Sequence, residues 1–369
     1  MSKPRVVLVV GTRPDAIKTL PVVLALRQES SLETVLVSTG QHREMLQQVF
    51  DTFGVQPDRD LGLMKHGQSL GELTGRMSLA LDELFKELKP QFVIAQGDTT
   101  TTFVAGLSAF YNQIPFGHVE AGLRTHNVFD PFPEEFNRQA VGLFATHHYA
   151  PTELSASNLR REHVSDDKIF VTGNTGIDAV LMVAEREPQT WFPDHAGRVI
   201  LMTMHRRENW GDPMAACAKA ARQLVDQHPD TLLAVPMHRN PIVREVLERE
   251  LGGHDRIHLI EPPEYARFTK LIQRANLILT DSGGVQEEAP SFGIPILVLR
   301  NTTERPEGVD AGCAKLIGTD PEALLAQGTQ LLNDSKSYQS MSQVKSPYGE
   351  GRASEQIVEA VKTYLHRGS

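Results

Sequence analysis

Three acids stand at successive junctions between apolar runs and helical patterns. Asp98 lies in Gln96-Gly97-Asp98-Thr99-Thr100-Thr101-Thr102, and Glu120 in Gly117-His118-Val119-Glu120-Ala121-Gly122-Leu123-Arg124. Glu134 lies in Pro131-Phe132-Pro133-Glu134-Glu135-Phe136-Asn137-Arg138. Carboxylates converging on one edge can move protons on and off a substrate. Each also has a plainer reading. Asp98 suits an N-cap, and Glu120 can simply face solvent. Glu134 matches the dipole of a first helical turn, with Arg138 as its i,i+4 ion partner. Convergence of all three is harder to dismiss than any one of them.

A second group suits phosphate. In Thr280-Asp281-Ser282-Gly283-Gly284-Val285-Gln286-Glu287-Glu288 an apolar strand runs into Ser-Gly-Gly and then a helical pattern. The glycines allow close backbone approach, and free N–H groups at a helix start favour an anion. Ser282 can cap that helix and donate to phosphate, while Glu288, one turn in, can accept from two ribose hydroxyls. The alternative is a tight strand-to-helix turn with a solvated acidic start. Gly11-Thr12-Arg13-Pro14 ends the first apolar run, where Arg13 offers a planar donor fork and Lys18 a second cation one turn later. His205 in Met204-His205-Arg206-Arg207-Glu208-Asn209 reads as a phosphate contact, a general acid, or part of a solvated basic turn. Arg305, after the last buried strand, can enter the same site. Neither G-x-G-x-x-G nor G-x-x-x-x-G-K-[ST] occurs, so a nicotinamide site or P-loop is not supported. The other histidines, including His147-His148, lack companion ligands and read as structural or exposed.

The rest of the composition narrows the classes. Hydrophobic residues are 40% and charged residues 22%, which excludes disordered and fibrous chains. A net charge of −9 argues against broad nucleic-acid or anionic-membrane binding. Cys217 and Cys313 cannot make a disulfide scaffold, and no Cys/His cluster has zinc spacing, so neither metal nor cofactor is expected. The first apolar run, Val6 to Val10, is too short to span a bilayer. The chain reads as soluble, cytoplasmic and reduced, with no membrane or nucleic-acid partner.

The elements that position these residues alternate. Strand patterns at 5–10, 34–39, 91–96, 115–119 and 168–171 are interleaved with helical patterns at 16–27, 42–53, 70–88, 102–111, 134–145, 152–163 and 175–185. Around 186–198, two prolines and a glycine suit a surface loop or an interdomain linker; a fresh strand follows, which favours the linker and divides the chain into domains 1–186 and 187–369. A second series follows, with strands at 199–203, 231–235, 257–259, 277–280 and 295–299. Its helices fall at 213–227, 241–251, 263–274 and 285–292, and the last helical pattern, 355–366, can pack on either half. Runs such as Phe92-Val93-Ile94-Ala95 lack alternating polarity, as expected of parallel strands buried on both faces. The expected fold is α/β: two doubly wound parallel-sheet domains around a cleft that faces the carboxyl ends of both sheets.

Taken together, GTRPDAIK, QHREML, GDTTTTF, GHVEAGLRT, PFPEEFNRQ, VTGNTGIDAV, HRREN, LTDSGGVQEEAPSFG and RNTTERPEG resemble the non-hydrolysing UDP-N-acetylglucosamine 2-epimerase family. The stretches run in order over nearly the whole chain. The resemblance implies a glycosyltransferase-B-like pair of Rossmann-like domains, a UDP-sugar substrate, a homodimer, and exchange of UDP-N-acetylglucosamine with UDP-N-acetylmannosamine for cell-envelope polysaccharide. By the same resemblance Asp98, Glu120 and Glu134 are the catalytic carboxylates, Arg138 positions them, and His205 stands near the diphosphate. Arg13, Lys18, Ser282, Gly283, Gly284, Glu288 and Arg305 match UDP-binding positions. Phe268 matches a wall of the uridine pocket, although it suits an ordinary amphipathic helix equally well.

Once that reaction is granted, its chemistry follows. The C2 proton of a pyranose is not next to a carbonyl, and oxidation at C3 needs a nicotinamide site. Elimination of UDP to a 2-acetamidoglucal, followed by re-addition, is the remaining route. It needs proton-transfer groups on both sugar faces and cations on the departing diphosphate. Competing readings are a hydrolysing epimerase, a UDP-sugar glycosyltransferase and a non-catalytic nucleotide-sugar sensor. Some family members also bind a second UDP-N-acetylglucosamine as activator. Gln41, Arg206 and His238 fit that pattern, whereas Glu44 and Gly67 stand where a glutamine and an arginine are expected. Weak or absent activator dependence is the expectation.

Overall fold

The computed structural model describes residues 3–40, 43–65 and 67–367. It divides into two compact units, one running to Met182 and resuming at Tyr348, the other Val183–Pro347. In the first, β1 (Arg5–Val10), β2 (Glu33–Ser38), β3 (Arg59–Asp60), β4 (Phe92–Gln96), β5 (Phe116–Val119), β6 (His147–Ala150) and β7 (Ile169–Val171) form one sheet. Its order is β3-β2-β1-β4-β5-β6-β7, and every pairing is parallel. In the second unit, β8 (Arg198–Thr203), β9 (Thr231–Pro236), β10 (Ile257–Ile260), β11 (Leu277–Thr280), β12 (Ile296–Val298) and β13 (Ala314–Leu316) follow the order β10-β9-β8-β11-β12-β13, again all parallel.

Both units are the doubly wound, Rossmann-like sheets expected from the alternation. In each, strand order reverses beside the first strand, between β1 and β4 and between β8 and β11. Open α/β sheets bind ligands in the crevice outside the carboxyl ends at that reversal. Register brings the relevant turns side by side: Val9 pairs with Ala95 near the ends of β1 and β4, and Thr203 pairs with Thr280 at the ends of β8 and β11.

The central strands are buried on both faces, and Val6 to Val10 are at most 1% exposed. Helices cover them through one apolar stripe each. Helix Leu70–Leu88 buries Leu73, Met77, Leu81, Leu84, Phe85 and Leu88. Full burial of such a side chain is worth about 1.5–3 kcal/mol. A reciprocal cap starts the helix: Ser69 Oγ accepts the Glu72 N–H at 3.2 Å, and Glu72 Oε2 accepts the Ser69 N–H at 2.7 Å.

The carboxyl-terminal helix Ala353–Arg367 belongs to the first unit. Buried Asp178 accepts the backbone N–H groups of Ser354 at 2.7 Å and Ala353 at 3.2 Å. Lys362 pairs with Glu29 at 2.9 Å. Gly173, with φ of +88°, lets the chain cross closely: a Cβ there would lie 3.3 Å from Gly349 Cα.

Several elements differ from the sequence expectation. The helix expected over 285–292 is Gly283–Glu288 followed by a 3-10 turn Ala289–Phe292, where Pro290 removes a backbone donor. Strands β3, β6 and β13 and the helices over 306–342 carry too little β-branched or periodic signal to stand out. Among the described residues no helix is long and apolar enough to cross a membrane.

Candidate active site

Asp98 sits in the turn after β4. The cap of helix Thr100–Tyr111 is Thr99, whose Oγ1 accepts the Thr102 N–H at 3.4 Å, so the capping reading of Asp98 gives way. Its Oδ2 instead receives Arg138 Nη2 at 2.6 Å and Nε at 2.9 Å. Arg138 Nη1 reaches buried Glu135 at 3.2 Å. Burial would lower the Arg138 value, but the charge of Asp98 and the carboxylate bonds win and raise it. The i,i+4 pair with Glu134 that spacing suggested is therefore replaced. The Asp98 backbone is held as well, since Asn137 Nδ2 donates to its carbonyl at 2.8 Å. His118 Nε2 contacts the Gly97 carbonyl at 2.7 Å and must carry the proton there. Burial pushes that imidazole down to about 4, so it is the neutral donor.

Glu120 directly follows β5 with φ of +64°, a left-handed conformation that is costly for a residue with a side chain and common at functional sites. Lys18 Nζ lies 2.5 Å from its Oε1, and Gln96 Nε2 donates to its Oε2. That Oε2 is 3.8 Å from where a Gly97 Cβ would stand, which places the Glu120 carboxylate beside the Asp98 turn. Glu134, in the first turn of helix Glu134–Phe144, is half-buried and has no polar partner among the described residues. Arg13, at the start of helix Arg13–Gln28, is likewise half-buried and unpartnered among them.

In the second unit the organising group is Asp281, fully buried at the end of β11. It accepts the N–H of His205 at 3.0 Å, the N–H of Arg206 at 3.0 Å and Asn209 Nδ2 at 3.0 Å. His205 Nδ1 lies 3.2 Å from its Oδ1. Burial lowers the His205 value, Asp281 opposes, and Arg206 adds to the lowering, with a net downward shift. A neutral ring with Nδ1–H toward Asp281 leaves Nε2 as the acceptor. The ring stacks at 5.9 Å on exposed His238.

Ser282 occupies the cap position of the Ser-Gly-Gly turn, but its hydroxyl makes no capping bond, so that half of the expectation is corrected. Beyond its own helix backbone and chain neighbours, a Cβ on Gly283 or Gly284 would meet no atom of the described residues closer than 4.0 Å, so packing against other elements does not demand glycine at either place. The nearest group to Gly283 is the Arg305 guanidinium, which also pairs with Glu287. Glu288 ends this helix half-buried, and Phe268 packs partly buried against the core of the second sheet. Of the activator positions, Glu44, Gly67 and His238 are exposed, Arg206 keeps a buried Nε without a partner among the described residues, and Gln41 lies outside them.

Sequence reasoning passed over Asp15, His118, Asn137 and Asp281. Asp15 carried a local signal, the Thr-x-x-Asp spacing of a reciprocal cap at the first turn. The other three act through partners remote in sequence.

Comparison with known proteins identifies the family. The sequence profile of the UDP-N-acetylglucosamine 2-epimerase family matches residues 24–362. A Bacillus subtilis UDP-N-acetylglucosamine 2-epimerase is 51% identical over 361 residues, covering 97% of this chain and 95% of that protein. The crystal structure of the Neisseria meningitidis UDP-GlcNAc 2-epimerase bound to UDP-GlcNAc superposes with a TM-score of 0.84 at 44% identity, covering 97% of this chain and 100% of that one. The Methanocaldococcus jannaschii UDP-GlcNAc 2-epimerase in complex with UDP-GlcNAc and UDP gives 0.75 at 31% identity, covering 98% and 99%. A profile that matches most of the chain and a relative identical at half its positions together show that the chain belongs to the UDP-N-acetylglucosamine 2-epimerase family.

Proposed function

We propose that this protein interconverts UDP-N-acetylglucosamine and UDP-N-acetylmannosamine by eliminating UDP and adding it back. The observation that carries the reading is the pair of neighbouring strand ends presenting Asp98 clamped by Arg138 and Glu120 clamped by Lys18. Each carboxylate has a fixed cationic partner, which is the preorganisation that proton transfer at a weakly acidic carbon requires.

In the forward direction the C1–O bond to UDP breaks with its electron pair going to the diphosphate. A base takes the C2 proton, and C1 and C2 become doubly bonded in 2-acetamidoglucal. UDP then attacks C1 while a proton arrives on the opposite face of C2. Asp98, Glu120 and Glu134 supply the proton-transfer groups, and Arg138 fixes Asp98. Arg13, the Ser282-Gly283-Gly284 turn and Arg305 take up the diphosphate charge, and His205 joins them once its Nε2 takes up a proton, the Nδ1–H staying on Asp281. Glu288 accepts the ribose hydroxyls, and Phe268 borders the uracil.

The same reading makes the product a precursor for cell-envelope polysaccharide and the protein a homodimer. Support for the latter is an uncovered apolar set on the first unit: Leu79, Phe110, Tyr111 and Leu143 are 70%, 57%, 68% and 89% exposed. These residues lie on packed neighbouring helices, and a second copy covers them. The activity test incubates purified protein with UDP-N-acetylglucosamine alone and identifies products by chromatography. UDP-N-acetylmannosamine at a constant ratio to substrate is expected. Accumulating UDP and free N-acetylmannosamine would instead make it a hydrolysing enzyme.

A further inference from the structure

We infer that Asp15 is a positioning residue for this reaction, a buried carboxyl that ties the Arg13 turn to the Asp98 turn. The inference rests on the epimerase reading and adds a residue to it. Asp15 is the third residue of helix Arg13–Gln28, and it is only 4% exposed. A single oxygen, Oδ2, accepts the Thr12 backbone N–H at 3.2 Å and the Thr99 hydroxyl at 3.1 Å. Thr12 and Thr99 are the cap residues of the two helices that leave β1 and β4, the strands flanking the reversal of the first sheet. Arg13 follows one cap directly, and Asp98 precedes the other.

The connection has little slack. A Cβ on Gly11 would stand 2.0 Å from Thr101 Oγ1 and 2.8 Å from Thr39 Oγ1, so the two turns already touch. Displacing one must displace the other. An ordinary reciprocal cap works at a solvated helix end, where its carboxylate keeps its water. Here burial pushes the carboxyl up to about 7 against the bonds from Thr12 and Thr99, and the charge of Asp98 adds to the rise. Burying an acid is costly and its hydrogen bonds offset that cost only in part, so a buried carboxyl here does more than a solvated cap would. Joining two elements at one oxygen is such a role.

The test compares wild type, Asp15→Ala, Thr99→Val, the double variant and Thr99→Ser for kcat, KM and thermal unfolding. Valine keeps the shape of threonine but removes the hydroxyl, and serine restores it. Asp15→Ala and Thr99→Val should each lower kcat about tenfold or more, as expected when catalytic groups shift by a fraction of an ångström. The double variant should be no worse than the poorer single one, because both break the same link, and Thr99→Ser should recover most of kcat. Lowered unfolding temperatures with kcat unchanged would reduce Asp15 to a helix cap and overturn the inference, as would losses that multiply in the double variant. If Asp15→Ala does not fold, Asp15→Leu, which keeps the volume and removes the acceptor oxygen, takes its place with the same readouts and the same overturning result, because Thr99→Val also removes the cap bond to Thr102. A wild type without epimerase activity would overturn the function itself, which distinguishes that failure from this one.

Discussion

Arg138 puts two donors on one oxygen of Asp98 and a third on Glu135, a pattern only a planar guanidinium can satisfy at once. Arg138→Lys keeps the charge but loses the fork. It should cut kcat by about 10- to 100-fold, with a smaller effect on thermal stability than on turnover, read by steady-state rates beside an unfolding scan. Asp98→Asn, Glu120→Gln and Glu134→Gln should each cost about 100-fold or more. At the activator positions, Glu44 would repel a second diphosphate, and Gly67 offers no side-chain charge. Initial rates should therefore follow a hyperbola in UDP-N-acetylglucosamine. Sigmoidal rates, with reverse turnover absent until that sugar nucleotide is added, would contradict this.

At the scale of elements, β5 and β6 carry an unusual load of buried imidazoles. Burial pushes His118 and His147 down to about 4 and His148 to about 3, with His118 reinforcing the shift of His148 across the paired strands. Such rings resist protonation in the folded chain, so the unfolded chain takes up the protons and stability falls as pH drops below about 6.5. Asp15 opposes them. Its folded value near 7 lies above the ordinary 3.8, so acidification from about 7 to 4 favours the folded chain. Asp178, also raised by burial, sides with Asp15, and His205, also lowered by burial, sides with the other imidazoles. Each pH unit over which a group's proton uptake differs is worth about 1.4 kcal/mol, and the imidazoles outweigh the two carboxyls. The denaturant midpoint should be lower at pH 5 than at pH 7.5; an equal or higher midpoint would contradict the balance.

These same strands show where a sequence becomes hard to read. Residues 92–96 and the helix over 70–88 announce themselves through continuous apolar runs and a clean helical stripe. His147-His148-Tyr149-Ala150 has no β-branched residue, and what makes it a strand is its place between β5 and β7. Ala314–Leu316 is three residues long with a lysine in the middle. The junctions that place Asp98 and Glu120 are legible from chain pattern alone. The partner of Arg138 is not, because helical spacing points to Glu134 while folding brings in Asp98 from 40 residues away. Asp281 escapes for the same reason, and Asp15, legible as a cap, hides its bond to Thr99: both roles are set by which turns the parallel sheet places side by side.

For the whole molecule, the proposed reaction draws on each unit for a different kind of group. The first presents carboxylates with cationic partners, and the second presents a neutral histidine on a buried aspartate beside a glycine turn. The exposed apolar set belongs to the first unit. Light scattering should give twice the 40.9 kDa chain mass, and Leu143→Glu should shift the protein toward the single-chain value. A monomeric wild type would contradict the dimer.

The central claim is that the C2 hydrogen leaves the sugar and returns from solvent while UDP is detached. Proton NMR of the reaction in D2O measures this directly. The account predicts that UDP-N-acetylmannosamine forms with deuterium at C2 and that, at equilibrium, recovered UDP-N-acetylglucosamine carries it too. A product that forms at full rate and keeps its original C2 hydrogen would contradict the account.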